Sequence, residues 1–491
     1  MSGRLRPMLA LLAVALVAGE ARAQSVRVSG STSVRYVELR PLVRDSVPAQ
    51  DVEGTGLLRQ LPDGRVVRCV PGEAFCRDTR VGERASTVPV IHDVQASAWG
   101  LGEGVRVFAH LRARDAWADA PGLWPRAEDA LELLAAYGDL ERDRLRVRAG
   151  RQWKVSGLGF YNFDGVSVGV RPSAGGWVEA YGGRSLMRGL SESRTGGALE
   201  AIESLAPPAS GLLLGVQGRW RSPDHVAASA TYQVDFRPDG EGVYSELAIA
   251  DGIVRLGAAA IEGSVEVDAA AGDLNEARVR LRSAPIGPLV LHGEARRYRP
   301  YFELWTIWGA FSPVGFDEVR GGATWAAADA RLLARLEGSY RAYPDSETDA
   351  AGPGFRHIGW GLGGNVTWTP STRWRVDGAY RADAGFGAAR RDGHVNLLRR
   401  FGDSGTVSLH ALAFQRLFEF RLDEGTVAGL GAEGTLRLGE RVRASGSFTT
   451  YRHLDAGSTP DFDWSQRRGS LRVEWTLGPE PGRGGTRVGS P

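Results

Sequence analysis

Residues 105–114 alternate. Val105, Val107, Ala109, Leu111 and Ala113 take one set of positions; Arg106, Phe108, His110, Arg112 and Arg114 take the other. A side-chain period of two puts these sets on opposite faces of a strand, whereas a helix would mix them. The same alternation returns at 144–148, 226–235, 278–282, 373–381 and 471–477. Segments of this kind run about 9 to 14 residues, with Gly, Pro, Asp and Ser clustered between them. About 22 of them (18–22) can be placed from near residue 26 to residue 477.

A soluble sandwich and a membrane barrel both suit such alternation. Three features favour a transmembrane antiparallel up-and-down β-barrel. Several polar faces carry three Arg in a row, as at Arg144, Arg146 and Arg148 or at Arg278, Arg280 and Arg282. The strands have the length that crosses a bilayer when tilted, roughly 9–11 residues. Trp117, Tyr137, Trp153, Trp220, Phe236, Tyr340 and Trp475 fall near strand ends, where aromatic girdles belong. Connections also alternate in length. Those at 100–103, 138–142, 173–175, 222–224 and 369–371 are short, and those at 41–88, 116–127, 186–210, 299–315, 343–354 and 453–466 are long. Short turns on the periplasmic side and long loops outside are expected of an all-β barrel of this class.

Residues 1–23 read as a signal peptide: Arg4 and Arg6 precede a short apolar run, and Ala21-Arg22-Ala23 fits a cleavage site. The expected organisation is then a signal peptide (1–23), one barrel domain (24–477) and a periplasmic tail (478–491), in a protein exported to the bacterial outer membrane. The chain of 491 residues has 60 basic and 58 acidic residues, a formal charge of +2. That balance excludes a nucleic-acid binder driven by bulk charge. Only one basic residue, Lys154, is not arginine. The two cysteines, Cys69 and Cys76, flank Pro71-Gly72 in the first long loop, and a disulfide that staples the loop tip is expected.

The lumen-lining candidates are the polar faces: Arg106, His110, Arg112, Arg114, Glu132, Arg144, Arg146, Arg148, Arg278, Arg280, Arg282, His292, Glu294, Arg296, Arg335, Glu337, Arg373, Arg375, Asp377, Arg472 and Glu474. Glu132 is placed to pair with the Arg faces on both sides of it. The bland reading of this wall is a salt-bridge ladder; the sharper one is a weakly anion-selective surface. Tyr301, Phe302, Trp305, Trp308 and Phe311 crowd one long loop, which either packs at the rim or folds inward as a constriction. Phe160-Tyr161-Asn162-Phe163 is a smaller cluster of the same kind. No histidines have metal-ligand spacing, and no nucleophile elbow or phosphate loop is present, so neither cofactor nor metal nor enzymatic activity is expected.

The run Gly150-Arg151-Gln152, followed by Asp164-Gly165-Val166, resembles a motif of large Gram-negative outer-membrane porin-like barrels, the alginate-export type among them. The resemblance implies a channel for passive or substrate-selective diffusion of small polar solutes. It also implies contact with outer-membrane lipid and with the barrel-assembly machinery. Such barrels often end on an aromatic that this machinery reads; here a Gly/Pro tail follows Leu477, which moves any such signal to Trp475. About 22 strands enclose a backbone diameter of roughly 45 Å, too wide for side chains to fill. Two alternatives follow: a sheath around a partner protein that occupies the lumen, and a surface-binding barrel.

Overall fold

The computed structural model describes residues 25–39, 42–54, 58–62, 66–69, 72, 74–81, 83–116, 131–186, 211–223, 225–236, 242–299, 315–344, 357–385, 388–419, 422–455 and 464–478. The expected signal peptide, the tail beyond Gly478, Trp117 and the aromatic cluster from Tyr301 to Phe311 lie outside the described residues.

Twenty-two staves form one antiparallel barrel, as the alternation predicts. The first is Ser25–Leu39; twenty-one more follow from Pro89–Trp99 to Trp464–Leu477, each paired with its neighbours in the chain. Closure comes from Ser25–Leu39, which pairs with Pro89–Trp99 on one edge and with Trp464–Leu477 on the other. Closing the sheet on itself pairs its first and last staves, which leaves no terminal edge for water to satisfy, as a bilayer requires.

The two faces invert the soluble pattern. Val166 and Val168 are 47% and 40% exposed, while Ser167 between them is 6% exposed. Gln152, Gln217, Thr231, Gln233 and Asp235 are buried; Leu214, Val216, Leu362, Leu430 and Leu471 are exposed. Water would reverse this arrangement, because apolar burial drives folding there. A lipid exterior around a polar interior accounts for it. Exposed Trp220, Trp325, Trp368, Trp374 and Phe401 lie at or beside short turns, and exposed Tyr340 and Trp360 lie toward the opposite rim. These are the two aromatic belts.

The turn expected at 138–142 is shorter. The strand Leu131–Arg142 continues through it, and only Asp143 and Arg144 separate it from Leu145–Ser156. Asp143 adopts φ 50°, a left-handed turn conformation that Asp tolerates. Part of the first long connection forms its own four-stranded sheet, from Leu42–Pro48, Leu58–Gln60, Val66–Arg68 and Phe75–Val81. Its small core holds Leu61, Val67 and the bonded pair Cys69–Cys76, with Cα atoms 4.2 Å apart.

Candidate functional site

Every second residue of a stave points inward, and directly opposed residues on neighbouring staves lie about 5 Å apart. Opposite charges at such positions meet. Asp139 is the centre of the largest group. Its side chain is 1% exposed; Arg106 donates to it at 2.5 Å, Arg146 at 2.7 Å, and Arg148 lies at 3.4 Å. Asp93 holds Arg112 at 2.8 Å and His110 at 3.4 Å. Glu132 bonds Arg114 at 2.7 Å. The link between the two arginine faces therefore falls to Asp139, not to Glu132. Asp139 was missed because its surroundings read as a turn.

The far wall is built in the same way. Glu276 takes Arg296 at 3.1 Å and Arg278 at 3.7 Å. Arg280 bonds Glu294 at 2.7 Å and Glu262 at 3.4 Å. Glu337 takes Arg335 at 2.8 Å and Arg381 at 3.0 Å, and His292 stands 4.0 Å away. Arg282 sits opposite His292 in register. Arg375 bonds Asp377 at 2.8 Å, and Arg472 bonds Glu474 at 2.9 Å. Arg144 and Arg373 are corrected: both lie in two-residue turns at the rim, outside the strands that begin at Leu145 and Trp374. Glu318, which binds Arg341 and Arg320 at 2.8 and 3.2 Å, has no counterpart among the expected residues. Half-exposed pairs like these contribute little stability each, about 0–1 kcal/mol. Their effect is to cancel charge locally along a wet wall.

The bore narrows at a hairpin that the strand pattern concealed. Leu145–Ser156 and Gly159–Val170 pair with each other along their whole length, to Ser156 opposite Gly159. Pairing with the preceding stave stops at Arg151 opposite Ala136, although that stave extends back to Leu131. Among the described residues the following stave bonds the hairpin as far as the Leu186 N–H, which donates to the Asn162 carbonyl at 2.8 Å. Beyond those points the hairpin leaves the wall. Leu158, Tyr161 and Phe163 pack on Tyr181, Leu213, Leu247 and Ile249. A Cβ at Gly157, at the tip, would lie 2.8 Å from the Ile249 Cδ1. Arg219 donates to the Val155 carbonyl at 3.4 Å. Those partners alternate along their strands with exposed Val178, Leu214 and Val216, so they face inward and the hairpin lies within the lumen.

Lys154, the lone lysine, is 8% exposed and bonds Glu179 at 2.5 Å, with its ammonium 5.2 Å from the Tyr181 ring. The motif noted in the sequence forms the bend. Gly150 faces Gly165 in register, and Arg151 faces Asp164, bonded at 2.8 Å. Gly150 adopts φ 122°, and a Cβ at Gly165 would stand 2.0 Å from the Gly182 carbonyl oxygen. Only glycine fits so close a backbone approach.

Tyr137 and Trp153 are therefore corrected as girdle residues. They meet inside the barrel with Phe108: Trp153 stands edge-on to Phe108 at 5.7 Å and to Tyr137 at 6.3 Å, and Arg148 lies 4.1 Å over the Tyr137 ring. On the hairpin itself, Val155 and Phe160 are exposed.

The closed antiparallel barrel, its apolar exterior and its charged interior are those of a transmembrane β-barrel. No family model matches the chain, and no curated protein does. Solved structures similar to it include OccK8 (OprE) of Pseudomonas aeruginosa, at 9% identity and TM-score 0.40, covering 93% of this chain and 98% of that one. A BenF-like porin from Pseudomonas fluorescens Pf-5 matches at 8% identity and TM-score 0.40, over 92% of this chain and 99% of its own. The translocation pore of the P pilus usher PapC matches at 10% identity and TM-score 0.37, over 92% and 99%.

Proposed function

We propose that this protein is an outer-membrane channel through which small polar solutes diffuse passively, with the hairpin over residues 151–164 setting the limit on their size. The observation that carries this reading is the hairpin itself, turned into the bore and packed along one side of a polar wall. A sheath around a partner protein needs an unobstructed bore, and the hairpin obstructs it. Charge along the wall is mostly paired, so the field inside is weak. The group around Asp139, three arginines to one carboxylate, favours anions locally. A mild anion preference follows. Wall residues Arg106, Arg112, Arg146, Arg148, Arg280, Arg335 and Arg375 then act as a solvating track for polar solutes.

The test is single-channel conductance of the purified chain in a planar bilayer, with reversal potential measured under a salt gradient. Discrete, modest steps with a slight anion bias are expected. A very large ungated conductance would return the sheath reading, a cation bias would remove the proposed role of the arginines, and no conductance from inserted protein would end the channel reading.

A further inference from the structure

The inward turn of the hairpin leaves a weak line in the wall. Among the described residues, 131–135 are paired along one side only, to Val105–Ala116. On the other side, among the described residues, two side chains take the place of a ladder. Arg151 donates through Nη1 to the Leu133 carbonyl at 2.9 Å, and Asn162 donates through Nδ2 to the Leu134 carbonyl at 3.1 Å. The register slips at this place: Leu111 pairs with Leu133 and His110 with Ala135, so Leu134 is the extra residue of a bulge. Bulges are common where a strand stops pairing.

An open sheet edge in hydrocarbon is costly and is tolerated only where it borders a cavity. Among the described residues, the unladdered stretch 131–135 borders the lumen. The seam carries apolar groups on both sides, beside the neutralised ion pairs Glu132–Arg114 and Arg151–Asp164: Leu131 and Leu133 are 56% and 36% exposed on the outer face, and Phe108, Tyr137 and Trp153 are grouped on the inner one. Val155 and Phe160, exposed on the hairpin, extend the apolar surface into the bore. A wall meant only to retain polar solutes gains nothing from rings along its weakest line.

We propose that this seam is a lateral portal, through which slender apolar solutes pass between the lumen and the surrounding lipid. The class is set by the lining: a single hydrocarbon chain or an aromatic ring system, without charge on the part that crosses. The portal is a route separate from axial diffusion of polar solutes.

The test uses the full chain in cells whose lipopolysaccharide leaflet slows apolar compounds, with N-phenyl-1-naphthylamine as the probe. Leu134→Cys with Asn162→Cys, joined by a short bis-maleimide, closes the seam. Asn162→Ala loosens it. Heat-modifiable migration on gels checks that each variant is folded, and swelling of proteoliposomes in a small sugar reports axial diffusion. The expected result is probe uptake above the empty-vector rate in the parent and a return to that rate after cross-linking, while sugar swelling persists at whatever rate the altered hairpin allows. Asn162→Ala should raise uptake about fivefold, the effect of one net hydrogen bond on an opening equilibrium. Uptake in the parent equal to vector, uptake unaffected by the cross-link, or probe uptake that falls only in proportion to sugar swelling would each overturn the portal. Sugar swelling that is absent while cross-linking still abolishes probe uptake would instead overturn the polar channel and leave the portal standing.

Discussion

Excising the hairpin is the most direct challenge to its role as the constriction. Residues 152–163 are replaced by Asn-Gly, a two-residue turn that joins Arg151 to Asp164 where they already face each other. A backbone diameter of about 45 Å leaves a bore of roughly 30 Å once inward side chains are allowed for, or about 700 Å². From Gly150 to the tip is about seven residues, a reach of about 20 Å at ~3.3 Å per residue, and the two strands are about 10 Å thick. The hairpin then covers about 200 Å², between a quarter and a third of the section. Its removal should raise single-channel conductance about 1.4-fold and admit larger sugars in liposome swelling. Wall pairing up to Arg151 and Asp164 is kept, so insertion should survive. A folded, inserted variant with the parent conductance would show that the hairpin does not set the limiting section.

Three further outcomes are expected. Asp139→Asn leaves Arg106, Arg146 and Arg148 without their shared carboxylate, so reversal potentials should move toward anions. Urea unfolding should also fall by a few kcal/mol, less than the roughly 3–5 of a fully buried pair because the arginines are partly wet. Val168→Arg puts a charge on the lipid face and should cost about 2–4 kcal/mol near mid-membrane, read as reduced refolding into liposomes. Cys69→Ser with Cys76→Ser opens an eight-residue ring whose closure is worth about 2.5 kcal/mol by loop entropy. That loss falls on the small sheet between residues 42 and 81, so protease nicking there should rise while barrel melting stays unchanged.

Alternation along the chain is enough to specify the barrel. Alternation is a local property: once residues 105–114 or 471–477 are read as strands, each side chain's face follows from its parity, and the charged face cannot meet lipid. The wall positions of Arg106, Arg112, Arg280 and Glu294 could be read in this way. Tertiary structure alone decided where the wall is interrupted. A strand that leaves the barrel keeps the same period of two, so residues 151–164 carry no local mark of their departure. The run from Phe160 to Phe163 breaks the apolar–polar alternation because one face packs on Tyr181, Leu213 and Leu247 while the other looks into the bore. The bend depends on Gly150, Gly165 and Gly182 on three staves coming into register, contacts that no single segment encodes. The motif at Gly150 and Gly165 was visible as residues; its meaning as a hinge line came from their approach across strands. Tyr137 and Trp153, apparent girdle residues at strand ends, meet inside the barrel for the same reason. A single bulge at Leu134 and the hairpin's inward turn reassign faces that parity had fixed.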